Sequence, residues 1–321
     1  MLRYIARRLV WVVFVVLVIT LLTYLIFFVM PPTDPAVAFA GKQPTSADIA
    51  EVRRLFGLDK PVWAQYLLFL KHLFLGDSWG WPGLGFSFTT RSPVRSIIAS
   101  RAFVTVQLSL GAALVWLSVG IPIGVLSALR PRSLRDRLAM AFALFGVSAP
   151  VFWLGLMCLW LFWFKLHWAA GSGYVSIGSS LSQWFSHMLM PWIVLALLFT
   201  AFYARMARGT LIETMGEDYI RTARAKGLPE WKVVVKHGLR SSLTPIVTML
   251  GLDLGTLLGG AIITETVFNL QGLGLYSIQS VYRGDLPGVL AVTVLASLAI
   301  ALMNLIVDVV YAFLDPRVRF A

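Results

Sequence analysis

Long apolar stretches separate the charged residues of this 321-residue chain. Six of them can be read from the sequence, at about residues 9–30, 102–129, 138–164, 187–206, 243–263 and 286–313. Each is long enough to cross a hydrocarbon core of ~30 Å as a helix rising about 1.5 Å per residue. Only 13% of the residues are charged, and the mean hydropathy is +0.80. The sequence therefore predicts an all-α polytopic membrane protein with six transmembrane helices.

The N-terminal stretch has two interpretations. Arg3, Arg7 and Arg8 precede it, as in a secretory signal, and Ala38-Phe39-Ala40 follows it like a cleavage site. A signal has an apolar core of only about 7–15 residues, which is shorter than the 9–30 stretch. An uncleaved anchor helix within residues 1–30 is therefore favoured over a cleaved signal.

The net charge of +12 follows the alternation of the spans. Most Lys and Arg residues fall in the N-terminal segment, the loop between the second and third spans, the loop between the fourth and fifth, and the C-terminus. Short cytoplasmic loops are enriched in these residues, so both termini are predicted to be cytoplasmic. Arg101, beside the second span, is an exception. This placement explains the basicity without a nucleic-acid partner.

Residues 31–101 are predicted to form an extracytoplasmic cap between the first two spans. They open with Pro31-Pro32-Thr33-Asp34-Pro35, which ends a helix. Residues 45–57 have a capping residue at the start and a glycine at the end, as a short helix does. Residues 61–75 are too short for a span, and their Trp and Tyr favour a helix in the membrane interface, with a re-entrant segment as the alternative.

Residues 219–245, called the basic segment below, lie in the predicted cytoplasmic loop between the fourth and fifth spans. Helix-compatible residues 219–226 are followed by a stop at Gly227 and a restart after Pro229. Residues 241–245, Ser-Ser-Leu-Thr-Pro, have the pattern of a start signal for the next apolar helix. Two short helices joined by a tight turn beside a membrane indicate a docking surface for another protein.

The sequence lacks two motifs that ATP hydrolysis and zinc-dependent catalysis would require. It has no G-x-x-x-x-G-K-[ST] phosphate loop and no H-E-x-x-H, and no enzyme activity and no metal are predicted. If ATP drives this protein, another chain must hydrolyse it. The single cysteine, Cys158, is expected to be a small apolar residue within a span.

Three acidic residues fall at membrane depth or at its edge. A carboxylate in a span costs about 2.5–3.5 kcal/mol on insertion scales, so each should face protein or water. Asp253 and Asp308 either line a translocation path or are structural carboxylates with partners. Glu265, at the outer end of its span, is predicted to organise the loop that follows it.

Residues 221–227, Arg-Thr-Ala-Arg-Ala-Lys-Gly, align with the cytoplasmic E-A-A-x-x-x-G loop of a known family. Further matches run in order along the chain, at residues 4–9, 57–61, 65–66, 76–77, 237–245, 265–268 and 308–317. The chain therefore resembles the permease subunits of bacterial ABC importers for dipeptides and oligopeptides. It departs from them at Gln271-Gly272, where the family often has Pro-Gly, and in the Trp-rich loop at Trp79, Trp81 and Pro82.

The resemblance implies a fold of the type I ABC importer permease kind. It implies a core permease domain at residues 102–321 that contains a cytoplasmic coupling loop at 207–242. Implied partners are a second homologous permease, two identical or different ATPase subunits and an extracytoplasmic solute-binding protein. ATP and magnesium would be bound by the ATPases and no cofactor by this chain, in a bacterial inner membrane.

For substrates, the resemblance implies di- and oligopeptides. Nickel, glutathione, sugars or opines are alternatives within the same class, and a stand-alone secondary transporter is a distant one. The residues that the resemblance implies for ATPase coupling are Tyr219, Arg221, Thr222, Ala223, Arg224, Ala225, Lys226 and Gly227. Ala223 and Ala225 would enter a groove of the ATPase, Arg224 and Lys226 would hold its rim, and Gly227 would supply the turn.

Overall fold

In the computed structural model, which describes residues 2–30, 34–41 and 43–314, the chain is almost entirely helical. Five helical segments are long and apolar enough to cross a membrane within these residues. They are Ala6–Val29, Val94–Leu129, Leu181–Met215, Glu230–Leu258 and Leu286–Val310. The predicted terminator at Pro31-Pro32-Thr33 and the closing motif beyond residue 314 lie outside the described residues.

The described residues before Val94 form four helices and one small hairpin. These elements are α1 (Leu2–Tyr24, continued by a π-helical turn at Leu25–Val29), α2 (Pro35–Phe39), α3 (Ser46–Phe56), α4 (Val62–Leu75), β1 (Phe86–Ser87) and β2 (Ser92–Pro93). The two strands pair antiparallel. The helix predicted at 45–57 is confirmed: Thr45 and Asp48 form a capping box, and Gly57 ends the helix at a φ of 60°.

The rest of the chain is built from longer helices. They are α5 (Val94–Leu129), α6 (Leu134–Ser148), α7 (Val151–Cys158, continued by a π-helical segment at Leu159–Lys165), α8 (Leu181–Met215), α9 (Asp218–Ala225), α10 (Glu230–Lys232, continued by a π-helical segment at Val233–Leu239), α11 (Arg240–Leu258), α12 (Ile262–Val267), α13 (Leu273–Arg283) and α14 (Leu286–Leu314).

The third predicted span, residues 138–164, is broken into two helices. Ala149 adopts an extended conformation with ψ of 126°, and Pro150 is the N-cap residue of the next helix, which begins at Val151. A proline disfavours the helical conformation of the residue before it and is well tolerated where a helix begins. The third predicted span is therefore a pair of shorter helices, α6 and α7.

The fifth predicted span begins earlier than expected. The helix is continuous from Glu230 to Leu258, and Pro245 lies inside it. The start signal predicted at residues 241–245 is therefore wrong. The preceding basic run belongs to the same helix, and the π-helical segment Val233–Leu239 lies between the turn at Gly227 and the apolar part.

Contacts divide the chain into two units. The first contains residues 1–106, 255–266 and 270–305, and its core is a cluster of rings from α1 to α4. Phe28 stacks on Phe39 with ring centroids 4.5 Å apart, and Tyr24, Phe56 and Phe69 surround them.

The second unit contains residues 107–254, 267–269 and 306–321. Within it, α5 packs closely against α8 because α5 has glycines at the contact. A side chain at Gly120 would approach the backbone of Thr200 to 3.0 Å, and one at Gly124 would meet Ala207.

Candidate functional site

The basic segment folds as a short helix and a tight turn, as predicted, but the second short helix of the prediction is the start of the long helix that runs to Leu258. Asp218 lies in the first turn of α9 and Arg224 in the last, which suits the helix dipole. Gly227 has a φ of 74°, in the left-handed region, and its N–H donates to the carbonyl of Arg224 at 2.9 Å. The chain then turns, and Glu230 begins the helix that runs to Leu258.

One face of α9 packs against its own chain. Ile220 and Ala223 are buried with Val233 from the π-helical segment, and Met215 at the end of α8 covers them. Ala223 therefore holds α9 onto this chain. The expectation that Ala223 enters a groove of the ATPase does not hold in this structure, because the side chain is already covered.

The opposite face of α9 is exposed. It presents Tyr219, Arg221, Thr222, Arg224, Ala225, Lys226 and Gly227, which are the remaining predicted coupling residues. Arg224 forms two hydrogen bonds with the carboxylate of Glu230, at 2.7 and 3.1 Å, and this pairing raises the pKa of Arg224. Arg221 is paired with Asp218 at 3.3 Å. Both pairs lie at the surface, so part of each guanidinium stays open to solvent.

Contacts join α8, α9 and the 230–258 helix into one packed block, called the coupling block below. Tyr219 donates to Ser241 at 3.0 Å, and Ser242 donates to Thr214 near the end of α8 at 3.2 Å. A side chain at Gly238 would come within 3.0 Å of Leu211 and Met215, so this glycine permits the close approach. α9 and the ends of both long helices are therefore joined by direct contacts.

A buried ion pair that the sequence analysis missed lies between α8 and the start of α6. Arg208 donates to both carboxylate oxygens of Asp136, at 2.7 and 2.8 Å, and the N–H of Arg132 donates to Oδ2 at 2.7 Å. Ser127, near the end of α5, donates to the same carboxylate. The Arg208 guanidinium, with these other donors, holds the pKa of Asp136 well below its usual range despite burial. The only local sequence signal is the S-x-x-D pattern at Ser133, which indicates a helix cap.

Asp253 and Asp308 are both half-buried in their helices. The carboxylate of Asp253 accepts a hydrogen bond of 2.7 Å from the hydroxyl of Tyr203, which is buried on α8. Asp253 therefore has a protein partner, Tyr203. A part in a translocation path stays a prediction for both aspartates.

Glu265 organises the loop that follows it, as predicted. Its buried carboxylate accepts from Thr105 at 2.8 Å and from the N–H of Leu275 at 2.8 Å. Its carbonyl accepts from the N–H of Leu270, while Thr105 also accepts from the N–H of Leu273. Burial raises the pKa of the Glu265 carboxyl. Within the described part of the chain, no three His, Cys, Asp or Glu side chains converge as a metal site requires.

Comparison with protein families identifies this architecture. Residues 120–320 match the family described as binding-protein-dependent transport system inner membrane component, and residues 1–109 match the N-terminal region of such membrane components. The chain belongs to this family. It is a multi-pass membrane component of a transport system, and the family is one of permease components, which are not catalytic subunits.

Named relatives of this inner membrane component match along its whole length. The dipeptide transport system permease protein DppB of Escherichia coli K12 is 38% identical over 347 residues, covering 99% of both chains. The glutathione transport system permease protein GsiC of Salmonella typhimurium LT2 is 37% identical over 320 residues, covering 100% of both. Both relatives are therefore similar to this chain from end to end.

A solved structure supports the fold of this inner membrane component. A chain from the inward-facing MetNI methionine ABC transporter aligns with a TM-score of 0.55 at 20% sequence identity. The alignment covers 70% of this chain and 98% of the other. The likeness shows the fold of a type I ABC importer permease.

Proposed function

We propose that this chain, together with a second homologous permease, forms the translocation path of an ATP-driven importer for di- and oligopeptides. The end-to-end similarity to dipeptide and glutathione permeases supports this substrate class, because glutathione is itself a short peptide derivative. Nickel, glutathione, sugars and opines are the alternatives within the same kind of importer.

The proposed assembly contains two ATPase subunits and an extracytoplasmic solute-binding protein. ATP and magnesium are bound by the ATPases, since this sequence has no phosphate loop. The chain lies in the bacterial inner membrane with both termini in the cytoplasm, so the basic segment faces the ATPases.

The observation that carries the proposal is the coupling block. An exposed, basic face of α9 is joined by its buried face to the ends of two long helices. Closure of the ATPase pair, acting on that face, tilts α8 and the 230–258 helix together. This is rigid-body motion of the kind used in alternating access.

The docking assignment is tested by substitution of Ala225, which lies on the exposed face. Ala225→Glu places a negative charge between Arg224 and Lys226, and we expect it to reduce both co-purification of the ATPases and peptide uptake. The matched control is Ala50→Glu on α3, which is also exposed and helical and is expected to change neither. Normal ATPase association and uptake in Ala225→Glu would rule out this docking face.

The substrate assignment needs the complete importer with its binding protein. We expect competing dipeptides and oligopeptides to reduce uptake of a labelled dipeptide by proteoliposomes, while nickel, sugars and opines do not. Inhibition by one of those compounds, without inhibition by peptides, would contradict the peptide assignment.

The proposed path contains Asp253 and Asp308, and each can be tested in the same uptake assay. We expect replacement of either residue by Asn and by Ala to lower peptide uptake. Unchanged uptake in both variants of Asp253 would leave only its structural bond with Tyr203.

A further inference from the structure

Helix α4 has an apolar face on each side. Phe69 and Leu73 are buried in the ring cluster of the first unit. On the opposite side, Trp63, Leu67 and Phe74 follow each other at helical spacing and are 68%, 55% and 48% exposed. Among these exposed apolar side chains, the stripe also contains one exposed basic residue, Lys71. A helix lying in water would place polar residues there.

The contacts of α4 place it beside the transmembrane part of α1. Tyr66 lies 3.1 Å from the hydroxyl of Thr20 and donates to the carbonyl of Leu17 at 3.1 Å. Tyr24 donates to Gln65 at 2.6 Å. Leu17 precedes the end of the candidate span at Val29 by 12 residues, which is about 18 Å along a helix. This contact is therefore well inside the apolar span.

Neighbouring residues of α1 extend the apolar surface. Leu17, Leu21 and Leu22 are exposed on the same apolar span. A lipid environment that covers α1 thus continues onto the exposed stripe of α4.

Backbone carbonyls beside both ends of α4 accept hydrogen bonds from the protein. In the loop before the helix, the side-chain amide of Gln65 donates to the carbonyls of Leu58 and Lys60. At the end, the N–H groups of Gly76 and Gly83 donate to the carbonyl of His72. The indole of Trp81 also donates to the carbonyl of Phe74 at 3.1 Å. Water would satisfy these groups in a solvated helix, whereas a bilayer requires internal partners.

We propose that the exposed stripe of α4 inserts into the lipid of the membrane leaflet on the side of residues 31–101. Trp63, Leu67 and Phe74 contact acyl chains, and the Lys71 ammonium reaches towards lipid phosphate. The ring cluster of the first unit is thereby fixed at the membrane surface by α4 as well as by α1. This inference does not depend on which substrate is carried or on ATPase docking.

The test uses nitroxide labels on the full-length chain reconstituted in phosphatidylethanolamine and phosphatidylglycerol vesicles. Cysteines replace Leu67 or Phe74 in a Cys158→Ala background. Collisions with oxygen, which concentrates in lipid, are compared with collisions with a water-soluble nickel chelate. We expect labels at both positions to favour oxygen several-fold over the nickel chelate.

Two reference positions calibrate that measurement. Phe14 is exposed on α1 and should show the lipid profile, while Arg54 is exposed on α3 and should show the aqueous one. An aqueous profile at residues 67 and 74 would overturn the proposal. So would low accessibility to both reagents, which indicates that a protein covers the stripe.

Native fluorescence provides a second measurement for the case in which a labelled variant does not fold. Trp63→Phe should lower the fraction of tryptophan emission that brominated lipids quench. Trp116→Phe, at a fully buried position, should leave that fraction unchanged or raise it slightly. Equal quenching in Trp63→Phe and the unmodified protein would exclude lipid contact at this position.

Discussion

Two Asp–Arg pairs in this chain lie in contrasting surroundings. The side chains of Asp136 and Arg208 are only 5% and 28% exposed, and two short hydrogen bonds join them. The side chains of Asp218 and Arg221 are 95% and 74% exposed and meet at 3.3 Å. Water can replace either partner of the exposed pair, whereas it has limited access to a guanidinium left unpaired beside α6.

Replacement of Asp136 by Asn should therefore destabilise the protein. We expect the free energy of unfolding in mixed micelles to fall by about 2–3 kcal/mol, at the low end for a broken buried pair because Arg208 keeps some contact with water. Asp218→Asn is the matched control, and no measurable loss of stability is expected from it. Equal effects of the two substitutions would show that the Asp136 pair does not hold α6 to α8.

At the scale of elements, α9 has two faces with separate tasks. Its buried face, Ile220 and Ala223, fixes the helix on the 230–258 helix, and its exposed face is free for a partner. The sequence motif contains residues of both faces, so the residue types alone do not separate the two roles. Burial separates the two roles. A charge introduced on the buried face should therefore have a different effect from one introduced on the exposed face.

Ala223→Glu should lower the stability of the permease even in the absence of ATPases. A carboxylate at this position would be buried against Val233 without a partner, which costs several kcal/mol unless α9 detaches. Ala225→Glu, two residues away and exposed, should leave the unfolding transition of the isolated permease unchanged. Thermal unfolding of the two variants without ATPases distinguishes them. An unshifted transition in Ala223→Glu would contradict the packing of α9.

The turn after α9 depends on the backbone of Gly227. No atom lies within 4 Å of the position that a side chain would take, so Gly227→Ala meets no neighbour and costs only the left-handed conformation, about 1 kcal/mol. Gly227→Pro cannot adopt a positive φ and also loses the N–H that donates to Arg224. We expect uptake close to normal in the alanine variant and strongly reduced uptake in the proline variant.

Gly209 provides the control for that pair. It also has open space around it but lies within α8 in a helical conformation, so Gly209→Ala should not reduce stability. If Gly227→Ala and Gly209→Ala change stability equally, the positive φ of Gly227 makes no contribution.

Across the whole molecule, features encoded locally could be predicted and pairings between distant residues could not. The capping box of Thr45 and the turn at Gly227 were predictable because neighbouring residues determine them. Asp136 and Arg208 are 72 residues apart, and no spacing reveals their bond. The sequence also did not show which prolines interrupt a helix. Pro150 separates two helices, whereas Pro122 and Pro191 lie inside continuous ones.

Whether α6 and α7 together cross the membrane determines on which side each later loop lies. If the N-terminus is cytoplasmic and this pair crosses the membrane, α8 returns the chain to the cytoplasm and the basic segment lies inside. If the pair does not cross, only five spans remain and the basic segment would lie outside with residues 31–101. The concentration of Lys and Arg in the basic segment favours the crossing.

Cysteine labelling should establish this topology in a Cys158→Ala background. We expect Arg54→Cys to react with a membrane-impermeant maleimide in spheroplasts, which keep the inner membrane sealed, and Lys226→Cys to react only in inside-out vesicles. Both positions are exposed, so accessibility depends on the side of the membrane and not on burial. Labelling of Lys226→Cys in sealed spheroplasts would mean that α6 and α7 do not cross. The basic segment could then not meet a cytoplasmic ATPase.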